Sequence, residues 1–197
     1  MFVFLTLGEV SMSIDESRSD LKIRRLKIPD EVDVCAGLMS GSEPWKTLRR
    51  TYEEAFMMLT DPAREVYVAV LGGEVVGFTI LRMEGVFVGY IQTVGVLPGW
   101  RDRGIGTRLI DFAERRIFER FPNVFLCVSS FNEEARRLYE RLGYDEVGEL
   151  RDFIVPGHSE ILMRKSIGPL SGYKKPATSD VHLLRGQPSS DITEPVD

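Results

Sequence analysis

From Val94 to Thr107 the chain reads Val-Gly-Val-Leu-Pro-Gly-Trp-Arg-Asp-Arg-Gly-Ile-Gly-Thr. A β-branched run ends at a Pro-Gly break, and a basic, glycine-bearing turn then opens into an amphipathic helix. Such a turn aims main-chain N–H groups at whatever sits above it. First-turn donors have no intrahelical partners and the helix dipole adds positive potential, so the site suits a phosphate. Gly104 and Gly106 remove side chains where an anion would meet the backbone, and Arg101 and Arg103 add charge. Two common phosphate loops are excluded by single residues. A Walker A loop needs Lys where Ile105 stands, and a dinucleotide fingerprint needs a third Gly where Leu109 stands. What remains is Arg101-x-x-Gly104-x-Gly106 after a strand.

Composition narrows the possibilities. A chain of 197 residues fits one domain with extensions. Its 43% hydrophobic and 28% charged residues describe a globular chain able to bury a core. A net charge of −5 argues against a general nucleic-acid binder and mildly favours cationic partners. Cys35 and Cys127 are far apart and fit no motif, which suits a reducing cytosol. With His158 and His182 as the only histidines, no zinc constellation is expected. Residues 1–7 are apolar but too short to span a bilayer, and they lack the basic start of a signal peptide. Met12 is an alternative translation start.

Positioning the glycine turn falls to the elements around it. Residues 1–20 read as a disordered extension, and 21–28 alternate as a strand closed by Pro29-Asp30. A short helix carries Val32, Val34, Ala36 and Leu38. A second, over 46–59, shows Leu48, Tyr52, Ala55, Phe56 and Leu59 on one face. Strands over 65–71 and 75–83 flank the hairpin signal Gly72-Gly73, and 87–97 leads into the glycine turn. The helix beyond buries Leu109, Phe112, Ala113 and Ile117. After a strand over 124–129, Asn132 caps a helix that ends at Gly143 and buries Ala135, Leu138, Tyr139 and Leu142. Strands over 145–153 and 160–164 follow, and residues 166–197 read as a loosely held tail. The order β, α, α, three β, α, β, α, β, β gives a mixed sheet of about seven strands flanked by about four helices, an α+β architecture.

This order and the Arg101-x-x-Gly104-x-Gly106 pattern resemble the GNAT superfamily of acyl-CoA-dependent N-acyltransferases. A second segment, Asn132-x-x-Ala135-x-x-x-Tyr139-x-x-x-Gly143-Tyr144, is similar to the family's segment after the fifth strand. The resemblance covers residues 21–165 and implies the GNAT fold, with acetyl-CoA as co-substrate. It places the diphosphate on Arg101, Asp102, Arg103, Gly104, Ile105, Gly106 and Thr107. Asp102 departs from the Gly of many relatives, and its carboxylate is expected to face solvent. The pantetheine arm would lie between splayed fourth and fifth strands. Val94, Gly95 and Val96 line that gap, and a bulge at Gly95 is expected to expose a main-chain donor for the thioester oxygen.

Asn132 either hydrogen-bonds that arm, as the resemblance implies, or only caps its helix. From position alone Tyr139 reads as a core residue, whereas the resemblance makes it the general acid that protonates the CoA sulfur. The base is harder to assign. Many relatives that acetylate protein N-termini carry Glu or His where Cys127 stands, and a thiol there reads as buried packing. The stretch Tyr90-Ile-Gln-Thr-Val-Gly resembles that of one group of protein N-terminal acetyltransferases, which makes Tyr90, acting through ordered water, the leading base, with Glu84 second. Loops over 41–46 and 151–159 flank the acceptor side. Glu43 and Asp152 could attract an ammonium, Trp45 could wall an apolar pocket, and Gln92 and Glu84 complete the acceptor set; each is otherwise an ordinary loop or strand residue.

These observations lead to a cytoplasmic acetyl-CoA-dependent N-acetyltransferase, a monomer or homodimer without a metal, nucleic-acid or membrane partner. Its acceptor is a protein or peptide N-terminal α-amine, attacked directly in a ternary complex, since no Cys or Ser has a recognisable base beside it. Two rivals stand: a non-catalytic acyl-CoA-binding module that lost its base, and an acetyltransferase for a small-molecule amine.

Overall fold

A computed structural model describes residues 20–174 apart from Ile28. Most of the expected extension and tail, and the last residue of the first expected strand, lie outside the described residues. Seven strands form one sheet in the order β1-β2-β3-β4-β5-β7-β6. They are β1 (Lys22–Arg25), β2 (Glu65–Leu71), β3 (Glu74–Arg82), β4 (Tyr90–Val96), β5 (Asn123–Ser129), β6 (Asp145–Leu150) and β7 (Glu160–Ser166). Four helices cover it among the described residues: α1 (Val32–Gly41), α2 (Tyr52–Thr60), α3 (Ile105–Phe118) and α4 (Glu133–Arg141). All neighbouring strands pair antiparallel except β4 and β5, which run parallel across the α3 connection.

Local chemistry explains most of the boundaries. Gly72 and Gly73 carry φ of 59° and 89°, the geometry a two-residue β2–β3 turn requires. Gly143 closes α4 at φ 86°. Helix α2 begins six residues later than apolar periodicity predicts. Thr51 and Glu54 form a capping box there, and Arg49 at φ 55° breaks the chain just upstream. Its buried residues are Ala55, Met58 and Leu59, while Tyr52 and Phe56 face outward. Strand β6 ends at Leu150, three residues short of expectation, because Asp152 turns the chain at φ 49°.

Helix α3 packs Ile110, Ala113 and Ile117 against Leu81, Ile91, Val124 and Leu126 on one face of the sheet. On the opposite face α1 and α2 cover Val68, Phe78 and Ile80. Past β7, Ile167 donates its N–H to the Pro122 carbonyl, and the Tyr173 hydroxyl donates to the Phe118 carbonyl at 2.7 Å.

The structure moves the expected bulge. Ile80 of β3 lies opposite Thr93, and the next residue, Leu81, lies opposite Ile91, so Gln92 is the extra residue. Gly95 sits in regular register with Phe78. Its missing side chain serves packing, since a Cβ there would lie 2.6 Å from the Phe78 ring and 3.2 Å from Leu38.

Candidate active site

The sheet opens where β4 and β5 part. Their pairing consists of Tyr90 with Phe125 and Ile91 with Leu126, with none beyond among the described residues. From the Gln92 bulge onward β4 therefore presents an edge without a β5 partner, and unpaired main-chain groups on such an edge can receive an extended ligand. The bulge and the splay coincide because an extra residue on one strand increases local twist and ends regular pairing.

Below this notch the glycine turn meets α3. Gly104, at φ 76°, is the N-cap residue, and neither a side-chain cap nor an acidic first-turn residue satisfies the N–H groups that follow. Residues 101–104 are exposed, Ile105 plugs the core beneath them, and Gly106 and Thr107 are half-buried. The Arg101 Nε donates to the Val96 carbonyl at 3.3 Å, and the Arg103 guanidinium lies 4.9 Å above the Trp100 ring. Asp102 is exposed at φ 61°. Uncapped donors, a positive dipole end and two arginines fit a diphosphate.

A cavity of about 680 Å³ runs through the notch. One wall comes from Asn132, Ala135 and Tyr139 of α4, and Val94 also faces it. The other wall is built from Trp45, Tyr90, Gln92, Cys127, Ser129 and Glu160. Its mouth carries Glu84 and the exposed apolar side chains Val86, Phe87, Phe153 and Ile154. Glu43 and Asp152 lie outside this lining. Glu43 accepts from the Thr47 N–H, and Asp152 accepts from the Gly157 N–H at 2.6 Å, closing its own loop. Trp45 stacks on Phe78 with centroids 6.4 Å apart.

On the α4 wall, Asn132 Oδ1 accepts the Ala135 N–H at 3.3 Å, so the residue is a helix cap that also borders the cavity. The Tyr139 ring meets Tyr144 edge-on at 5.7 Å. Burial alone pushes its hydroxyl up to about 12, so it keeps its proton at neutral pH. On the opposite wall, burial drives Tyr90 far above the usual phenol range, and the neighbouring Cys127 and Glu160 add to the shift. Burial also raises Cys127, against a Tyr90 hydrogen bond that favours the thiolate. Both hold their protons at neutral pH, which leaves Tyr90 a donor and Cys127 a thiol.

Sequence reasoning passed over Glu160. This residue opens β7 with 4% exposure, and its Oε1 accepts the Ser129 hydroxyl at 2.6 Å. Burial raises its carboxyl above the usual range, opposed by Ser129 and by the charge of His158. The available signal was parity: Glu160 shares a side of its strand with Leu162, so a charge stands beside the apolar run Ile161-Leu162-Met163 at an inward position. Gln92 Oε1 is likewise buried, with no hydrogen-bond partner among the described residues. Among the described residues no group of three His, Cys, Asp or Glu could hold a metal ion, and no helix is long and apolar enough to cross a membrane.

The fold, the notch and the uncapped basic turn fit an acyl-CoA-dependent transferase, and comparison with known proteins shows the family. The chain belongs to the acetyltransferase (GNAT) family, whose sequence pattern matches residues 29–144, and it is accordingly an acyltransferase. It is 32% identical over 156 residues to an N-alpha-acetyltransferase of Sulfurisphaera tokodaii, covering 73% of this chain and 83% of that protein. It is also 32% identical over 137 residues to the N-alpha-acetyltransferase RimI of Mycobacterium tuberculosis, covering 68% and 82%. An aminoglycoside 6′-N-acetyltransferase solved with coenzyme A shares the fold at a TM-score of 0.60 and 23% identity, over 75% of this chain and 98% of that one.

Proposed function

We propose that this acetyltransferase moves the acetyl group of acetyl-CoA to the α-amine of a peptide or protein N-terminus, by direct attack in a ternary complex. The observation that carries this reading is the β4–β5 notch, whose cavity is lined by Tyr139 and Tyr90 and whose β4 edge leads on to the uncapped basic turn before α3. In this reading residues 101–107 hold the diphosphate, Asn132 and the main chain of Val94, Gly95 and Val96 hold the arm and the thioester, and Tyr139 protonates the departing sulfur. Tyr90 and Gln92 line the approach of the amine, Tyr90 through an ordered water. Trp45 and Glu84 bound the acceptor, and Glu43 and Asp152 belong to the loops outside it.

The preference for an α-amine is supported by the two relatives named N-alpha-acetyltransferase. The mouth supports it too: Val86 is 94% and Phe153 63% exposed, apolar surface that the first residues of an extended peptide would cover. Cys127 keeps its proton, which favours direct attack over an acetyl-cysteine intermediate. Two free cysteines suit a cytoplasmic setting.

The test offers the purified protein acetyl-CoA together with peptides bearing a free or a blocked α-amine, and with a polyamine. Thiol release and an acetyl mass increment on the α-nitrogen of the free peptides are expected. Release with the polyamine alone would establish the small-molecule reading. Tight coenzyme A binding with no release for any amine would establish the non-catalytic one.

A further inference from the structure

Glu160 is a carboxylate in the core, and the positive charge that bears on it is that of His158 rather than of a lysine or arginine. It is 4% exposed, Ile161, Leu162 and Met163 follow it, and no lysine or arginine forms an ion pair with it among the described residues. A buried charge so placed costs free energy unless it is hydrogen-bonded or serves a reaction. Its one side-chain hydrogen bond comes from Ser129 Oγ, leaving Oε2 unpartnered among the described residues. Strand register fixes where the group points. Ser129 lies opposite Glu160 and Cys127 opposite Leu162, so the carboxylate shares a face with Cys127 and Ser129, in the cavity wall across from Tyr139.

Elimination among the cavity's titratable groups leads to the same residue. Arg50 and Arg82 cannot accept a proton, and Tyr90, Cys127 and Tyr139 hold theirs. Of the two carboxylates that remain, Glu84 stands exposed at the mouth and Glu160 lies within.

We propose that Glu160 is the general base of the transfer, taking a proton from the incoming ammonium while Gln92 Oε1, unpartnered among the described residues, accepts a hydrogen bond from its nitrogen and Tyr90 orders the neighbouring water. This rests on the reading of the cavity as the acceptor site. Glu160 accepts one proton from the ammonium, and the freed amine attacks the thioester carbon. A C–N bond forms and the carbonyl pair moves to oxygen. When that pair returns, the C–S bond breaks. Tyr139 gives its phenolic proton to the sulfur and recovers one from the new amide nitrogen through solvent. Glu160 then releases its proton to solvent, so the turnover yields amide, free thiol and one proton. Burial that weakens the carboxyl as an acid strengthens it as a base near neutral pH.

The test measures kcat and kcat/KM against pH for the full chain with acetyl-CoA and an N-terminal peptide acceptor. The titratable groups facing Glu160 are Tyr90 of β4, Cys127 of β5, Tyr139 of α4 and His158 of the loop before β7; β6 contributes Leu150 opposite it. Glu160→Gln is expected to lower kcat ~10²–10⁴-fold, with the acetyl-CoA Kd and the melting temperature unchanged. Ser129→Ala removes the donor that favours the carboxylate, so the acid limb of kcat/KM is expected to move to higher pH. A folded Glu160→Gln protein with native kcat/KM and pH profile would overturn the assignment. So would an acid limb unmoved in Ser129→Ala, which decides the matter if Glu160→Gln does not fold. If the wild-type protein acetylates no amine, the acceptor reading itself fails and the assignment falls with it.

Discussion

Replacing Tyr139 with Phe removes one oxygen from the α4 wall and nothing else. The ring keeps its edge-on contact with Tyr144 at 5.7 Å and its place against the core residues under α4. Its hydroxyl has no protein hydrogen bond among the described residues, so none is lost with it. Stability should therefore change by no more than about 0.5 kcal/mol. Acetyl-CoA affinity should hold as well, because the turn proposed to hold the diphosphate is elsewhere. What disappears is the proton for the leaving thiolate, and a positioned general acid contributes ~10²–10⁴ in rate, about 3–5 kcal/mol of barrier. Thiol release at saturating acetyl-CoA and peptide measures kcat, with calorimetry on the same preparation measuring Kd. Burial pushes the phenol up to about 12, so the loss should persist unchanged across the neutral pH range. A kcat within a few-fold of the native value, at unchanged Kd, would remove Tyr139 from the mechanism.

Other perturbations test neighbouring parts of the account. Gly95→Ala drives a Cβ to 2.6 Å from the Phe78 ring, and denaturant unfolding should show a loss of about 1–3 kcal/mol. Gly104→Ala meets no atom within 4 Å but must hold φ 76°; it should cost about 1–2 kcal/mol and weaken coenzyme A binding by calorimetry, as the turn that presents the first α3 N–H groups relaxes. Lys165→Met strands the buried Glu114 carboxylate, which Lys165 Nζ meets at 2.7 Å, and should cost about 3–5 kcal/mol near neutral pH. Burial already holds Glu114 above its unfolded pKa, so the native state binds the extra proton and stability is lost as pH rises through the folded value. The Lys165→Met deficit should therefore shrink as pH is lowered, and a deficit that grows would contradict this.

Local chemistry was written plainly enough to be read from the chain. A Pro-Gly break and two glycines announce the turn that opens α3, and Gly72-Gly73 announces the β2–β3 hairpin. Long-range register was not. Gly95 looked like the bulge because glycine tolerates one, yet the bulge falls at Gln92, where pairing to β3 rather than residue type decides. The start of α2 was misplaced because apolar spacing through Leu48 outweighed the Thr51–Glu54 capping box. Glu160 stayed hidden because its meaning depends on Ser129, 31 residues away on β5, and on a shared strand face that only pairing creates.

The most direct test is a crystal structure of the protein with a peptide joined through its α-nitrogen to coenzyme A. The account predicts the diphosphate on residues 101–107, the arm along the free edge of β4 past Gln92, the joined nitrogen between Tyr139 and Glu160, and the peptide leaving across Val86 and Phe153. A coenzyme seated away from the Gly104–Thr107 turn, or a β4–β5 notch closed by strand pairing with no ligand in it, would contradict it.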